Sequence, residues 1–220
     1  MRSELFDQVR ESDRPGMSLQ NPKMLRVSFS GEFFARQGAM VAYQGDVDFA
    51  YQGSGGIGKL FKKAVTGEGL PLMKVTGEGD VFLARDAWDV HVIDLDGDSV
   101  TVSGENVLAF ESGLNWDIKR VEGAGIASGG LFNTVFTGHG RIAIACHGTP
   151  VLLDVDRPTF VDTDSAVAWS SSLHTGVRRT VRAGALIGRG SGEAMQLAFE
   201  GKGFVLVQAS EGPQVPVQAG

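Results

Sequence analysis

The stretch Thr76-Gly77-Glu78-Gly79-Asp80-Val81-Phe82-Leu83 sets two glycines one residue apart at the head of an apolar run. It returns as Thr137-Gly138-His139-Gly140-Arg141-Ile142-Ala143-Ile144 and again as Glu200-Gly201-Lys202-Gly203-Phe204-Val205-Leu206-Val207. The leading glycines stand at 77, 138 and 201, a period of about 60 residues, and self-similarity at such a period marks a repeat architecture. Each occurrence reads as a G-x-G turn entering a strand. Upstream in every copy lies an aliphatic-Ala-aromatic strand, Val41-Ala42-Tyr43, Leu108-Ala109-Phe110 and Val167-Ala168-Trp169. Eight or nine residues before that, Phe33, Val100 and Phe160 open a further strand. A fourth element relates two copies, Ile93-Asp94-Leu95-Asp96 and Leu153-Asp154-Val155-Asp156. The order never changes, so the chain reads as all-β, three pseudo-repeats with about four strands each.

Working outward, the approximate copies run 24–84, 93–145 and 153–208 within one domain, 21–210. Residues 1–20 form an N-terminal extension, and 211–220, with Pro213 and Pro216, a flexible tail. The gaps between the second element and the G-x-G differ in length and carry glycines, as insertion-tolerant loops do. Few short helices are expected, at residues 3–10 and at 57–65, where apolar positions fall at helical spacing. A single core is the default for 220 residues of this kind.

Composition narrows the function. Hydrophobic residues make up 42% and charged residues 21%, ordinary for a globular protein, while 31 glycines without a collagen period indicate many tight connections. A net charge of −6 gives no global field for a phosphate backbone, so no nucleic-acid partner is expected. One cysteine, Cys146, excludes an intrachain disulfide and fits a reducing compartment, hence the cytoplasm. No apolar run approaches the ~18 residues of a membrane span.

The residues Asn106-Val107-Leu108-Ala109-Phe110-Glu111-Ser112-Gly113-Leu114-Asn115-Trp116 and Gly130-Leu131-Phe132-Asn133-Thr134-Val135-Phe136-Thr137-Gly138-His139-Gly140 resemble the altered-inheritance-of-mitochondria protein 24 family. The resemblance spans most of 24–210, is most specific over 131–140, and leaves the first 20 residues out. Bacterial members of that family are a domain family of unknown function. The resemblance implies a fold similar to the tryptophan RNA-binding attenuator protein, a double-stranded β-helix or jelly-roll-like domain often found in symmetric oligomers, and no established reaction. Eukaryotic relatives look like organisers of mitochondrial inner-membrane architecture; without a transit pattern here, only the scaffold idea carries over. A shared fold does not bring RNA or tryptophan binding with it.

Each candidate for chemistry has a plainer competitor. Gly53-Ser54-Gly55-Gly56-Ile57-Gly58 satisfies G-x-G-x-x-G, but a dinucleotide site needs a βαβ unit, and the following residues enter a β repeat. Asp94, Asp96 and Asp98 around Gly97 suggest a calcium loop, yet the flanks are strands and the equivalent Asp154-Val155-Asp156-Arg157-Pro158 suggests a hairpin turn. His139, Cys146 and His147 supply at most two ligands on one strand face, short of a zinc site. Neither a nucleophile elbow nor a metalloprotease motif nor a phosphate-binding loop occurs. The reading is therefore no cofactor, no metal and no enzyme.

Two features belong to one copy only. Lys59, Leu60, Phe61, Lys62 and Lys63 form a basic amphipathic segment suited to a protein partner or an anionic membrane surface, or else to packing its apolar side on the sheet. Asn115, Trp116, Asp117 and His139 mark a candidate functional surface of copy two. Trp169 stands where the other copies have Tyr43 and Phe110, so it is a core or interface aromatic. The sequence thus points to a non-enzymatic scaffold or binding protein that forms a homo-oligomer, with a trimer as the working number, alongside an unknown protein partner. The alternatives are a small-ligand or metal-binding jelly-roll protein or enzyme, and attachment to a membrane surface.

Overall fold

The computed structural model describes residues 15–51, 70–121, 132–179 and 195–210. These residues form β1 (Gly16–Asn21), β2 (Met24–Arg36), β3 (Met40–Tyr51), β4 (Leu72–Leu83), β5 (Asp89–Ser103), β6 (Val107–Glu111) and β7 (Asn115–Arg120). They continue with β8 (Phe132–Cys146), β9 (Val151–Val155), β10 (Thr159–Asp162), β11 (Ala166–Ser170), β12 (His174–Arg179), β13 (Met195–Glu200) and β14 (Gly203–Val207). The protein is all-β. The described residues contain no helix, and the helical signals at 3–10 and 57–65 lie outside them. Pairing with β2 places 16–20 inside the sheet, five residues before the boundary expected from the sequence.

All the pairings are antiparallel. One sheet runs β3-β4-β2-β6-β8-β5-β11-β14-β9, with β1 added on β2 and β7 on β8; a smaller one runs β10-β13-β12. Apolar residues at alternate positions specify the register, as Leu25, Val27, Phe33 and Ala35 of β2 do by turning one side of the strand inward.

One pairing scheme recurs along the chain. The last strand of each segment holds the first strand on one edge and the second on the other: β4 holds β2 and β3, β8 holds β5 with β6 and β7, and β13 and β14 hold β9 and β10 with β11 and β12. Ala42, Ala109 and Ala168 pair with Phe82, Ala143 and Leu206, in each case five residues past the leading glycine. Phe33, Val100 and Thr159 pair with Val75, Phe136 and Phe199, each two residues before it. Phe160, aligned by sequence with Phe33 and Val100, is therefore offset by one and matches Phe34 and Thr101 in register. A bulge between Asp96 and Asp98 adds one residue to β5 and accounts for the offset.

The G-x-G pairs are not turns. Gly77 and Gly79 lie inside β4, and Gly138 and Gly140 inside β8; only near Gly201 does the strand break in two. In the first segment Gly31 pairs with Gly77 and Gly45 with Gly79, all four at positive φ, so three neighbouring strands bend along one line. A Cβ on Gly77 would overlap the Asp46 carbonyl, and one on Gly79 the Gln44 carbonyl. Likewise Asp94–Asp98 lies within the continuous β5, where a hairpin turn was expected, because Gly97 at φ 83° absorbs the bulge.

Buried side chains fall into three clusters, where a single core was expected. The first, under β1–β4, takes in Leu108 and Ala109 of β6. The second, around Phe110, Phe136 and Ile142, takes in Val167 and Ala168 of β11. The third packs Trp169 on Phe199 with ring centroids 5.3 Å apart, beside Val155, Val161 and Val205. The first and second clusters thus share a following segment's second strand; among the described residues the third shares none.

Candidate functional site

The strands β7 and β8 carry the copy-two residues singled out from the sequence. Asn115 pairs with Thr137, Trp116 with Phe136 and Asp117 with Val135. Strand alternation separates them: Asn115 and Asp117 are exposed, while Trp116 turns inward against Phe110 at 5.5 Å and Phe34 at 5.9 Å. Trp116 belongs to an aromatic cluster that seals the joint between β2 and β6. His139 bonds through Nδ1 to Asp96 Oδ1 at 3.1 Å, with 76% and 97% of the two side chains open to solvent. A polar contact so exposed contributes little. Lys59, Leu60, Phe61, Lys62, Lys63 and the glycine-rich residues 53–58 lie outside the described residues.

The His and Cys candidates do not converge. His147 packs on Trp88 at 4.0 Å, and Arg85 covers the other ring contact of Trp88 at 4.2 Å, while His139 remains at Asp96. Cys146 is fully buried, and burial, reinforced by the charge of Asp89, pushes its thiol up to about 12. Such a group is a thiol rather than a nucleophilic thiolate at neutral pH. Among the described residues no group of three or more His, Cys, Asp or Glu side chains could hold a metal ion. Asp94 instead accepts a hydrogen bond from Arg141 Nε at 2.8 Å.

Sequence reasoning passed over the polar groups that join one segment to the next. Arg36, at the end of β2, is 9% exposed and donates to the carbonyls of Gly104, Glu105 at 3.0 Å and Val107 at 2.9 Å in the following segment. Burial, then the charge of Arg85, lowers its pKa to about 10, with Glu105 partly opposing them. Burial alone would raise the Glu105 carboxyl, but the hydrogen bond from Arg85 and the charges of Arg36 and Arg85 hold it below its ordinary value. At the next joint Asn106 donates to the Ala145 carbonyl at 2.8 Å and to Gln208 Oε1 at 3.3 Å, and Gln208 donates onward to the Asp164 carbonyl.

The joints themselves repeat. At the first, β6 pairs with β2 through Phe33↔Glu111, Phe34↔Phe110 and Ala35↔Ala109. At the second, β11 pairs with β5 through Val100↔Ser170, Thr101↔Trp169 and Val102↔Ala168. Leu108-Ala109-Phe110 and Val167-Ala168-Trp169 are consequently buried throughout. The corresponding Val41-Ala42-Tyr43 of β3 is exposed, Val41 by 56% and Tyr43 by 49%, because β3 ends the large sheet. β9 ends the large sheet on its other side and β10 ends the three-stranded sheet, and they expose Val151, Leu152, Leu153 and Phe160. Among the described residues the outer sides of β3, β9 and β10 are unpaired, and an apolar strand edge left open templates pairing with another chain. These edges are the candidate site.

The family described as mitochondrial biogenesis AIM24 matches residues 17–210. The chain belongs to the mitochondrial biogenesis AIM24 family. The match starts at Met17 in β1, consistent with a sheet that begins before residue 21. A Streptococcus pyogenes protein known from an X-ray crystal structure has a similar fold, with a TM-score of 0.71 and 22% identity over 90% of this chain and 93% of that one. At that identity the likeness is one of fold. No curated protein matches the chain in sequence. Within the described residues of this AIM24-family chain, no helix is long and apolar enough to cross a membrane.

Proposed function

We propose that this AIM24-family protein is a non-enzymatic scaffold or binding protein that works as a homo-oligomer and presents its assembled surface to a further protein partner. The observation that carries the reading is a set of apolar strands with one side unpaired among the described residues: β3 and β9 at the two ends of the large sheet, and β10 at one end of the small one. Among the described residues Cys146 is buried as a thiol, and Arg36, Arg85 and Arg141 bind carbonyls or carboxylates within the fold, which supports the non-enzymatic reading. The compartment proposed is the cytoplasm, supported by the single free cysteine. Multi-angle light scattering of the purified chain across a hundredfold concentration range tests the reading. A mass above the 23.3 kDa of one chain is expected, and a monomer at every concentration refutes self-association.

A further inference from the structure

We infer that the chain assembles head-to-tail, β3 of one copy pairing antiparallel with β10 of a second copy in the register of the two joints made within the chain. This rests on the self-association reading and assigns its interface.

The register follows from matched positions. In the internal joints the residue four past the leading glycine has Phe110 or Trp169 as its in-segment partner, and that aromatic pairs across the joint with Phe34 or Thr101. In the first segment the same position belongs to Tyr43, which pairs with Val81. In the third segment the position of Phe34 and Thr101, three residues before the leading glycine, belongs to Phe160, which pairs with Ala198. Tyr43 and Phe160 are thus the two halves of one joint, and both are exposed. The intermolecular ladder reads Thr159↔Gln44, Phe160↔Tyr43 and Val161↔Ala42.

Three properties favour a second copy over another occupant. Directly opposed aromatics on one sheet face attract, as Phe34 and Phe110 do in the internal joint with their rings stacked at 5.2 Å. Two residues beyond Thr159, the same register sets the exposed Arg157 against the exposed Asp46, a pair of opposite charge. The third buried cluster, which among the described residues takes in no further segment, gains the first segment of the next chain in the place that β11 fills for the second. The two edges differ in sequence, so the contact is heterologous, and it closes as a ring where the rotation per chain completes a turn.

The test uses the full chain with Tyr43→Lys and with Phe160→Lys, each placing a charge on one edge only. Each variant alone is expected to run as a 23.3 kDa monomer with an unchanged β circular dichroism spectrum. An equimolar mixture is expected to form a two-chain species, since each variant keeps the edge that the other has lost. A chain carrying both Tyr43→Glu and Phe160→Lys is expected to regain the wild-type mass through a cross-strand ion pair, a recovery that a misfolded edge would not permit. If either single variant keeps the wild-type mass, or if the mixture stays monomeric, the register is wrong even though the protein self-associates. A symmetric β3-to-β3 contact would leave Phe160→Lys assembled and is overturning in the same way. Wild-type protein that is monomeric throughout removes both this assignment and the reading it rests on.

Discussion

Replacing Arg36 with Met retains the buried stem and removes the fork that ties β2 to the turn after β5. Its guanidinium supplies donors to three main-chain carbonyls, those of Gly104, Glu105 and Val107. Hydrogen bonds from a charged donor contribute about 1.5–3 kcal/mol each, and the buried acceptors left behind lose that without gaining water. Against this, the variant no longer carries the cost of burying a cation, several kcal/mol on its own. The net expectation for Arg36→Met is a loss of about 3 kcal/mol, a large part of the stability of a domain this size. Arg36→Lys should lie between, because one ammonium has no planar fork to span three carbonyls. Urea unfolding followed by the fluorescence of Trp88, Trp116 and Trp169 measures it, the loss appearing in the midpoint at unchanged slope. A loss below about 1 kcal/mol would show that water reaches those carbonyls and that the joint does not depend on the arginine.

Two further outcomes follow from the fold. Gly79→Ala combines a φ of 151° with overlap on the Gln44 carbonyl, so thermal unfolding should report a loss of about 2 kcal/mol or more, while Gly176→Ala in β12, at ordinary φ and in open space, should stay within about 0.5 kcal/mol. Cys146 has a folded pKa raised to about 12 from 9.0, so above pH 9 the unfolded chain sheds a proton that the native protein keeps. Its stabilising contribution is complete below pH 9 and falls by about 1.4 kcal/mol per pH unit from there toward 12. Wild type should therefore lose stability faster than Cys146→Ala between pH 9 and 10.5 in urea titrations, and parallel curves would contradict the buried thiol.

Local chemistry made much of the fold legible. Alternating apolar residues and the recurring glycines announced an all-β chain, and the three alanines fall at one and the same place in the strand pairing. The function of the glycines was misread because a positive φ serves a turn and a bent strand equally well; the choice depends on whether a neighbouring strand bends at the same line, as Gly31 and Gly45 do. Phe160 was set one residue off because a bulge is invisible until a partner strand is present to count against. Trp116 looked like a surface feature for a similar reason: strand parity alone does not say which face is covered.

The candidate site was the least legible part. Val41-Ala42-Tyr43 carries the same apolar signature as Leu108-Ala109-Phe110 and Val167-Ala168-Trp169, so by sequence all three have the same reading, core or interface. Their local sequence determined that each is a strand with an aromatic beside an alanine. Only the tertiary structure decided that two of them are buried by a preceding segment and the first is exposed, because burial belongs to the neighbour across the edge, and among the described residues no strand pairs with the outer side of β3.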